Sequence, residues 1–230
     1  SMLEWYRPGY SMEQLMVELI ELVEAICQGS KFALLKFSAG KKPAFERLSY
    51  QQAFEKFAGF NPHQASSAQC HQIAIAKNVE IPQGLSVYYV LYEWLDWLLT
   101  QLVLPSFEKD RFTFLYDYPA SQCALAKVSE NKQQVLVAKR FELFFGDIEL
   151  ANGFHELSDA DEQLQRFQLE NKMRKQAGKK NSAIDEHLIA ALNSGLPDCS
   201  GVAVGLDRLL MVLTANTCID RVLSFPWNKA

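Results

Sequence analysis

The chain has 230 residues, a net charge of −4 and 49% apolar residues; that length can bury a core without disulfides or metal, and the acidic balance excludes a basic footprint for nucleic acid as the main partner. Its five cysteines (Cys27, Cys70, Cys123, Cys199, Cys218) form no Cys-x-x-Cys pair and its four histidines follow no ligand spacing, which points to reduced thiols in a cytoplasmic protein rather than a disulfide frame or structural zinc. No secretory leader and no apolar run of membrane-spanning length is found, so no membrane partner is expected.

Ser1-Met2 reads as an expression scar before an initiator Met, after which the chain enters LEWY at once. SMEQLMVELIELVEAICQG opens with Ser11 three residues before Gln14, a capping box, and Leu15, Leu19, Leu22, Val23 and Ile26 recur at helical spacing up to Gly29. KFSAGKKPAF, 36–45, reads as a polar loop. SYQQAFEKFAG repeats the Ser-x-x-Gln start at Ser49 and the Gly stop at Gly59. A weaker helix is expected over 66–78, and an aromatic one from Ser86 to Leu104, with Tyr88, Tyr89, Tyr92, Trp94 and Trp97, closed by Pro105.

After Pro105 the pattern turns to period two. RFTFLYDYP alternates like a strand up to Pro119, and CALAKV is a second strand-like stretch. RFELFF and IELA form a hairpin on Gly146-Asp147, with Gly first as a type II′ turn prefers. SDADEQLQRFQLENKMRKQAGKK is a charged helix with an exposed loop, AIDEHLIAALNSG another helix, and CSGVAVGLD a small-residue strand running into a helix DRLLMVLTAN capped by Asp207. Helices, then antiparallel strands, then a helix predict an α+β fold in a single domain, 1–230, with a mostly helical portion at 11–104 and a sheet-and-helix portion at 105–230.

GDIELANGFHEL, 146–157, is irregular for a strand. Pairing outward from the turn sets Phe145 against Ile148, Phe144 against Glu149, Leu143 against Leu150 and Glu142 against Ala151. One face is then core; the other holds Glu142, Phe144, Glu149 and Ala151, with the two glutamates as diagonal neighbours about 7–8 Å apart. Such a pair can share a hard cation with a nucleotide's phosphates. Strict alternation would turn Asn152, Phe154 and Glu156 into the core, which is costly. A β-bulge at Asn152-Gly153 is therefore expected, gathering Glu142, Glu149, Asn152 and Glu156 in one pocket. The plainer alternative is a solvated hairpin face with surface glutamates. His155 taken alone is structural or exposed rather than catalytic.

FELFFGDIELANGFHEL followed by SDADEQLQRF, and GLPDCSGVAVGLDRLLMVLT further on, resemble the catalytic core of class II lysyl-tRNA synthetases; LEWYRPGYSMEQLM resembles the second half of their motif 2, and the Gly-x-Asp-Arg of the later stretch their motif 3. ELANGFHEL, PASQ and GLPDCSGVAVGLDRL together are similar to the elongation factor P–lysine lysyltransferase family, a stand-alone branch of that class. The resemblance spans nearly the whole chain. It implies a class II synthetase-like antiparallel sheet flanked by helices, and an enzyme that activates (R)-β-lysine or lysine with ATP and Mg²⁺ as an aminoacyl-adenylate, then transfers it to a lysine of elongation factor P. By the same resemblance Glu4 and Tyr6 contact the amino acid, Glu156 receives its side-chain ammonium, and Asn152 is a polar contact beside phosphates or lysine. Glu149, with Leu150 beside it, contacts ATP; Glu142 and Glu149 are the magnesium carboxylates; Gly205 lies on the adenine side; and Arg208 is the motif 3 arginine that, with Glu149, serves catalysis. Ala203 stands where lysyl-tRNA synthetases tend to carry Gly, a pocket change fitting the stand-alone branch.

The family's motif 1, which builds its homodimer, and the first half of motif 2, which supplies an arginine and a glutamate to the ATP site, are not among these residues, so the N-terminal part of the core is expected to be missing and the dimer is in question. A fragment, a natural truncation that has lost catalysis, and a chain completed by another polypeptide all fit, with the fragment favoured; little adenylation is expected from this polypeptide alone. Two other functions stay open: a catalytic fragment of a lysyl-tRNA synthetase, although tRNA is not the expected partner, and a non-catalytic remnant that binds lysine or a nucleotide.

Overall fold

A computed structural model of the chain describes residues 1–29, 42–85 and 90–226. Among them, seven strands form one sheet: β1 (Met2–Pro8), β2 (Phe45–Ser49), β3 (Phe112–Pro119), β4 (Val128–Glu130), β5 (Leu136–Phe145), β6 (Ile148–His155) and β7 (Cys199–Gly205). Their order is β1-β7-β6-β5-β3-β2, with β4 added beside β5. Every pairing is antiparallel except β2 with β3. Helices flank this sheet, an α+β fold, as expected.

The local signals act where they were read. Helix α1 (Met12–Gly29) starts behind Ser11, whose N–H donates to Gln14 Oε1 at 2.8 Å while the Gln14 N–H donates to Ser11 Oγ at 3.3 Å. Ser49 caps α2 (Tyr50–Ala53) and Ser66 caps α3 (Ser67–Ala76) in the same way. A π turn, Phe54–Ala58, prolongs α2 up to Gly59. Gly146 takes φ +55 in the β5–β6 turn, as a Gly-first hairpin demands.

Several expectations are corrected. Phe45 opens strand β2 rather than ending a loop, and residues 36–41 lie outside the described residues. The aromatic helix begins at Leu91; Ser86, Tyr88 and Tyr89 lie outside the described residues. Beyond α4 (Leu91–Leu98) the helix continues as a π turn and then a 3₁₀ turn that contains Pro105. In CALAKV only Val128 belongs to a strand, while Ala126 makes a single bridge to Glu156. Helix α7 (Leu206–Leu213) is capped by Gly205 with no side-chain bond, and Asp207 sits inside its first turn.

The bulge is real but lies earlier than expected. Phe144 faces Glu149, yet Leu143 faces Ala151 and Glu142 faces Asn152, so Leu150 is the extra residue. Leu150 and Ala151, neighbours in sequence, both enter the core, which removes Ala151 from the polar face. The parity change turns Asn152, Phe154 and Glu156 to the side of Glu142 and Glu149. Gly153 points the other way, where a Cβ would run into the Phe141 ring.

Two apolar layers sandwich the sheet. On one face Leu15, Leu19 and Val23 of α1, and Leu209, Val212 and Leu213 of α7, pack on Phe114, Phe141, Leu143, Val202 and Val204. On the other face Tyr50, Phe54, Trp94, Leu98 and Val103 pack on Leu115, Tyr118, Ala138 and Phe144. This second layer takes its strand residues from β2, β3 and β5, and none from β1, β6 or β7. Half of that face is thus covered by helices and half is open. Helices α5 (Ala160–Gln176), capped by Asp159, and α6 (Glu186–Asn193), capped by Asp185, connect β6 to β7. No described helix is long and apolar enough to cross a membrane.

Candidate active site

Strand register lays two rows of residues across the polar face. Glu142, Asn152, Ala203 and Glu4 form one row. Arg140, Phe154, Gly201 and Tyr6 form the next. Six of the residues singled out in the sequence (Glu142, Glu149, Asn152, Ala203, Glu4 and Tyr6) thus come together on one surface, contributed by four strands. Glu156 follows β6 and joins them.

Glu156 is held by its backbone, which donates to the Cys199 carbonyl at 3.0 Å. Its side chain is 9% exposed, and among the described residues its carboxylate has no hydrogen-bond or ion-pair partner. Burial pushes its pKa up to about 7. Beside it stands Tyr6, 61% exposed. Partial burial, then the charges of Glu156 and Glu4, raise the Tyr6 pKa. Gly201 is the floor between the two: a Cβ there would lie 2.5 Å from Glu156 Oε1 and 2.7 Å from Tyr6 Cδ1 and Cε1. Glu156 and Tyr6 can close on this point because residue 201 has no side chain. An unpaired, buried carboxylate under an aromatic edge is built to receive a cation.

Glu149 and Arg208 lie further along the same face. Arg208 Nη1 donates to the Glu149 carbonyl at 3.1 Å and stands 3.6 Å from its carboxylate. Burial first, then the charge of Glu142, raise the Glu149 pKa, and Arg208 opposes them. Two adjoining cavities of 510 and 490 Å³ share Glu149 and Arg208 as a common wall. Glu142 and Phe144 line the first; Leu150, Asn152, Ala203 and Gly205 line the second. Volumes of this size suit a small organic ligand. The Leu150 side chain is in the core, so it meets the cavity with its backbone. Asn152 Oδ1 is buried without a partner in the same place, an acceptor left open inside the site.

Glu142, 8% exposed, is already engaged. Tyr118 donates its hydroxyl to Oε2 at 2.7 Å and Arg140 pairs with Oε1. Arg140 also donates to the Gln122 carbonyl at 3.2 Å, and Gln122 Nε2 donates to Asp96 Oδ1 at 2.6 Å. Burial pushes the Asp96 pKa up to about 6. Sequence reasoning missed Arg140, Tyr118, Gln122 and Asp96 as a unit, and Gly201 as the point where Glu156 and Tyr6 meet. The one available signal was Arg140 two residues before Glu142, on the same strand face.

The oxygen donors along the two cavities include Glu142, Glu149 and the Asn152 amide carbonyl. No group of three His, Cys, Asp or Glu side chains that could hold a metal by itself occurs among the described residues. Glu142 and Glu149 would therefore suit a magnesium ion that takes its remaining ligands from water and phosphate.

The model for tRNA synthetases class II (D, K and N) matches residues 1–229. An elongation factor P--(R)-beta-lysine ligase of Yersinia pestis (strain Pestoides F) is 41% identical over 230 residues, covering 100% of this chain and 66% of the relative. The ligase of the same name from Yersinia pseudotuberculosis serotype O:1b (strain IP 31758) gives the same figures. The chain thus spans 66% of the length of these curated relatives. With all but its last residue matched, the chain belongs to the class II tRNA synthetase family of the D, K and N type.

Proposed function

We propose that these residues carry the amino-acid and magnesium side of an ATP-dependent ligase that activates (R)-β-lysine or lysine and transfers it to a lysine of elongation factor P, in the cytoplasm. The observation that carries this is the unpaired Glu156 carboxylate beside Tyr6 at Gly201, on the sheet face where Asn152 and Ala203 line the cavity of Glu149 and Arg208. The names of the relatives support the choice of amino acid and acceptor.

Glu156 receives the side-chain ammonium and Tyr6 packs along the aliphatic stem. Glu4, Asn152 and Ala203 shape the pocket around the rest of the amino acid. The amino-acid carboxylate is then aimed at the α-phosphate of ATP between Glu149 and Arg208. Attack forms the acyl phosphate bond of the adenylate and releases pyrophosphate, and positioning with charge stabilisation drives it. Arg208 holds phosphate oxygens by its fork. Leu150, through its backbone, and Gly205 border the nucleotide. Magnesium held by Glu142 and Glu149 would neutralise charge on the phosphates. In the second step the acceptor amine attacks the adenylate carbonyl and AMP leaves. None of these steps needs a covalent enzyme nucleophile.

Two titrations of the chain test the binding half: (R)-β-lysine or lysine alone, and ATP with magnesium. The catalytic half is tested in a chain extended to the relatives' length, given ATP, magnesium and (R)-β-lysine with either elongation factor P or tRNA-Lys. A β-lysyl mass gain on elongation factor P supports the proposed function. Charging of tRNA-Lys instead identifies a lysyl-tRNA synthetase, and no binding of amino acid or nucleotide by the chain refutes the assignment.

A further inference from the structure

Glu142 is bonded through both carboxylate oxygens, and its two direct partners, Arg140 and Tyr118, line neither cavity of Arg208. Arg140 pairs with one carboxylate oxygen and Tyr118 donates to the other at 2.7 Å. Arg140 is fixed in turn on three sides. Its Nη1 donates to the Gln122 carbonyl at 3.2 Å, its guanidinium stacks 4.6 Å from the Tyr118 ring centre, and the Phe154 ring centre lies 5.9 Å away. The Gln122 side chain ties this segment to Asp96 of α4 at 2.6 Å. A continuous set of bonds therefore runs from the helical layer to one carboxylate at the mouth of the cavity.

We infer that Arg140 and Tyr118 are positioning residues for Glu142, holding its carboxylate in the single orientation that serves a divalent cation. This role rests on the ATP-dependent ligase proposed above. The chemistry favours it over a plain structural ion pair. Each carboxylate oxygen has two lone pairs and is bonded through one, so the outward lone pairs stay open to a cation. A free glutamate side chain at this spot would lose rotamer freedom on binding metal; here that freedom is already lost. Partners of this kind behind a ligating carboxylate orient it, and their removal lowers metal affinity roughly 10- to 100-fold. Arg140 suits the task better than a lysine: its planar fork bonds Glu142 and the Gln122 carbonyl at once.

Manganese is the probe, titrated into the chain with ATP and followed by electron paramagnetic resonance. Lysine binding, measured separately on each variant, reports whether the neighbouring pocket is intact. Tyr118→Phe removes one hydroxyl from a ring that otherwise keeps its packing, and Arg140→Lys keeps the charge but loses the fork. Both variants are expected to bind manganese–ATP several-fold to roughly tenfold more weakly, with lysine affinity within about twofold. Glu142→Gln in the same titration separates two failures. Manganese affinity lost in Glu142→Gln but unchanged in both other variants overturns the positioning role and leaves the ligase assignment standing. Affinity unchanged in Glu142→Gln as well overturns the metal role of Glu142, and the positioning role with it.

Discussion

One face of one sheet carries two kinds of polar chemistry. Over β3 and β5, beneath the helical layer, the charges are spent on each other: Glu142 on Arg140 and Tyr118, and Asp96 on Gln122. Over β6, β7 and β1, where no described helix packs on the face, the Glu156 carboxylate and Asn152 Oδ1 are left without partners among the described residues, and Tyr6 is exposed. The strands are continuous and the residue types alike. What differs is whether a buried carboxylate was paired by the fold. A buried carboxylate left unpaired costs folding free energy, which points to the part of the face kept for a ligand.

This contrast can be broken by substitution, because changes in the covered half should strike stability and metal binding, and changes in the open half should strike amino-acid binding. The largest effect expected is Arg140→Ala, which leaves Glu142 buried without its counter-ion; urea denaturation should show a loss of about 3–5 kcal/mol. Next is Gly201→Ala. Its methyl collides with Glu156 and Tyr6, and calorimetry should show lysine or (R)-β-lysine binding weakened on the order of 10- to 100-fold, as an overpacking penalty of about 1–3 kcal/mol implies. A Gly201→Ala chain that binds normally but melts early would place residue 201 with the packed half instead.

Glu156→Gln is expected to stabilise the chain, and to do so only at higher pH. The folded-state pKa of Glu156 is raised from 4.5 to about 7. Its contribution is therefore fully present below pH 4.5 and is lost as the pH rises through 7, because the folded chain must then ionise a buried carboxyl. At pH 8 Glu156→Gln should be more stable than the parent by about 2–3 kcal/mol, and at pH 4 the two should agree. Parallel denaturation curves at both pH values check this. The smallest effect is Tyr118→Phe, about 1 kcal/mol for one hydrogen bond, seen as a small shift in the same denaturation midpoint.

The sequence was most legible where signals were local. Ser11 and Ser49 start their helices by reaching three residues ahead, and Gly146-Asp147 turns the hairpin, so spacing alone revealed them. The need for a bulge was legible too, because Asn152 and Glu156 could not both go into the core. Its position was not. A parity break anywhere from Leu150 to Gly153 would satisfy the pattern, and the choice is made by β7, where Ala151 meets Val204 and Asn152 meets Ala203 some fifty residues later. Strand β2 was hidden for a like reason: five residues paired in parallel to a strand more than sixty residues away leave little periodicity to read. Of the site, the residues bearing a family motif were found. Arg140, Tyr118, Gln122 and Asp96 were not, because their connection runs through space from α4 to β5 and has no spacing in the chain.

The central claim, that the open half of the face is an amino-acid site centred on Glu156, is tested most directly by calorimetric titration of (R)-β-lysine and lysine at pH 6, 7 and 8. Ionised Glu156 is the form that receives an ammonium. Affinity should therefore rise with pH by up to about tenfold per unit below the Glu156 pKa, level off above it, and be lost in Glu156→Gln. An affinity that is the same at every pH and unchanged in Glu156→Gln would contradict it.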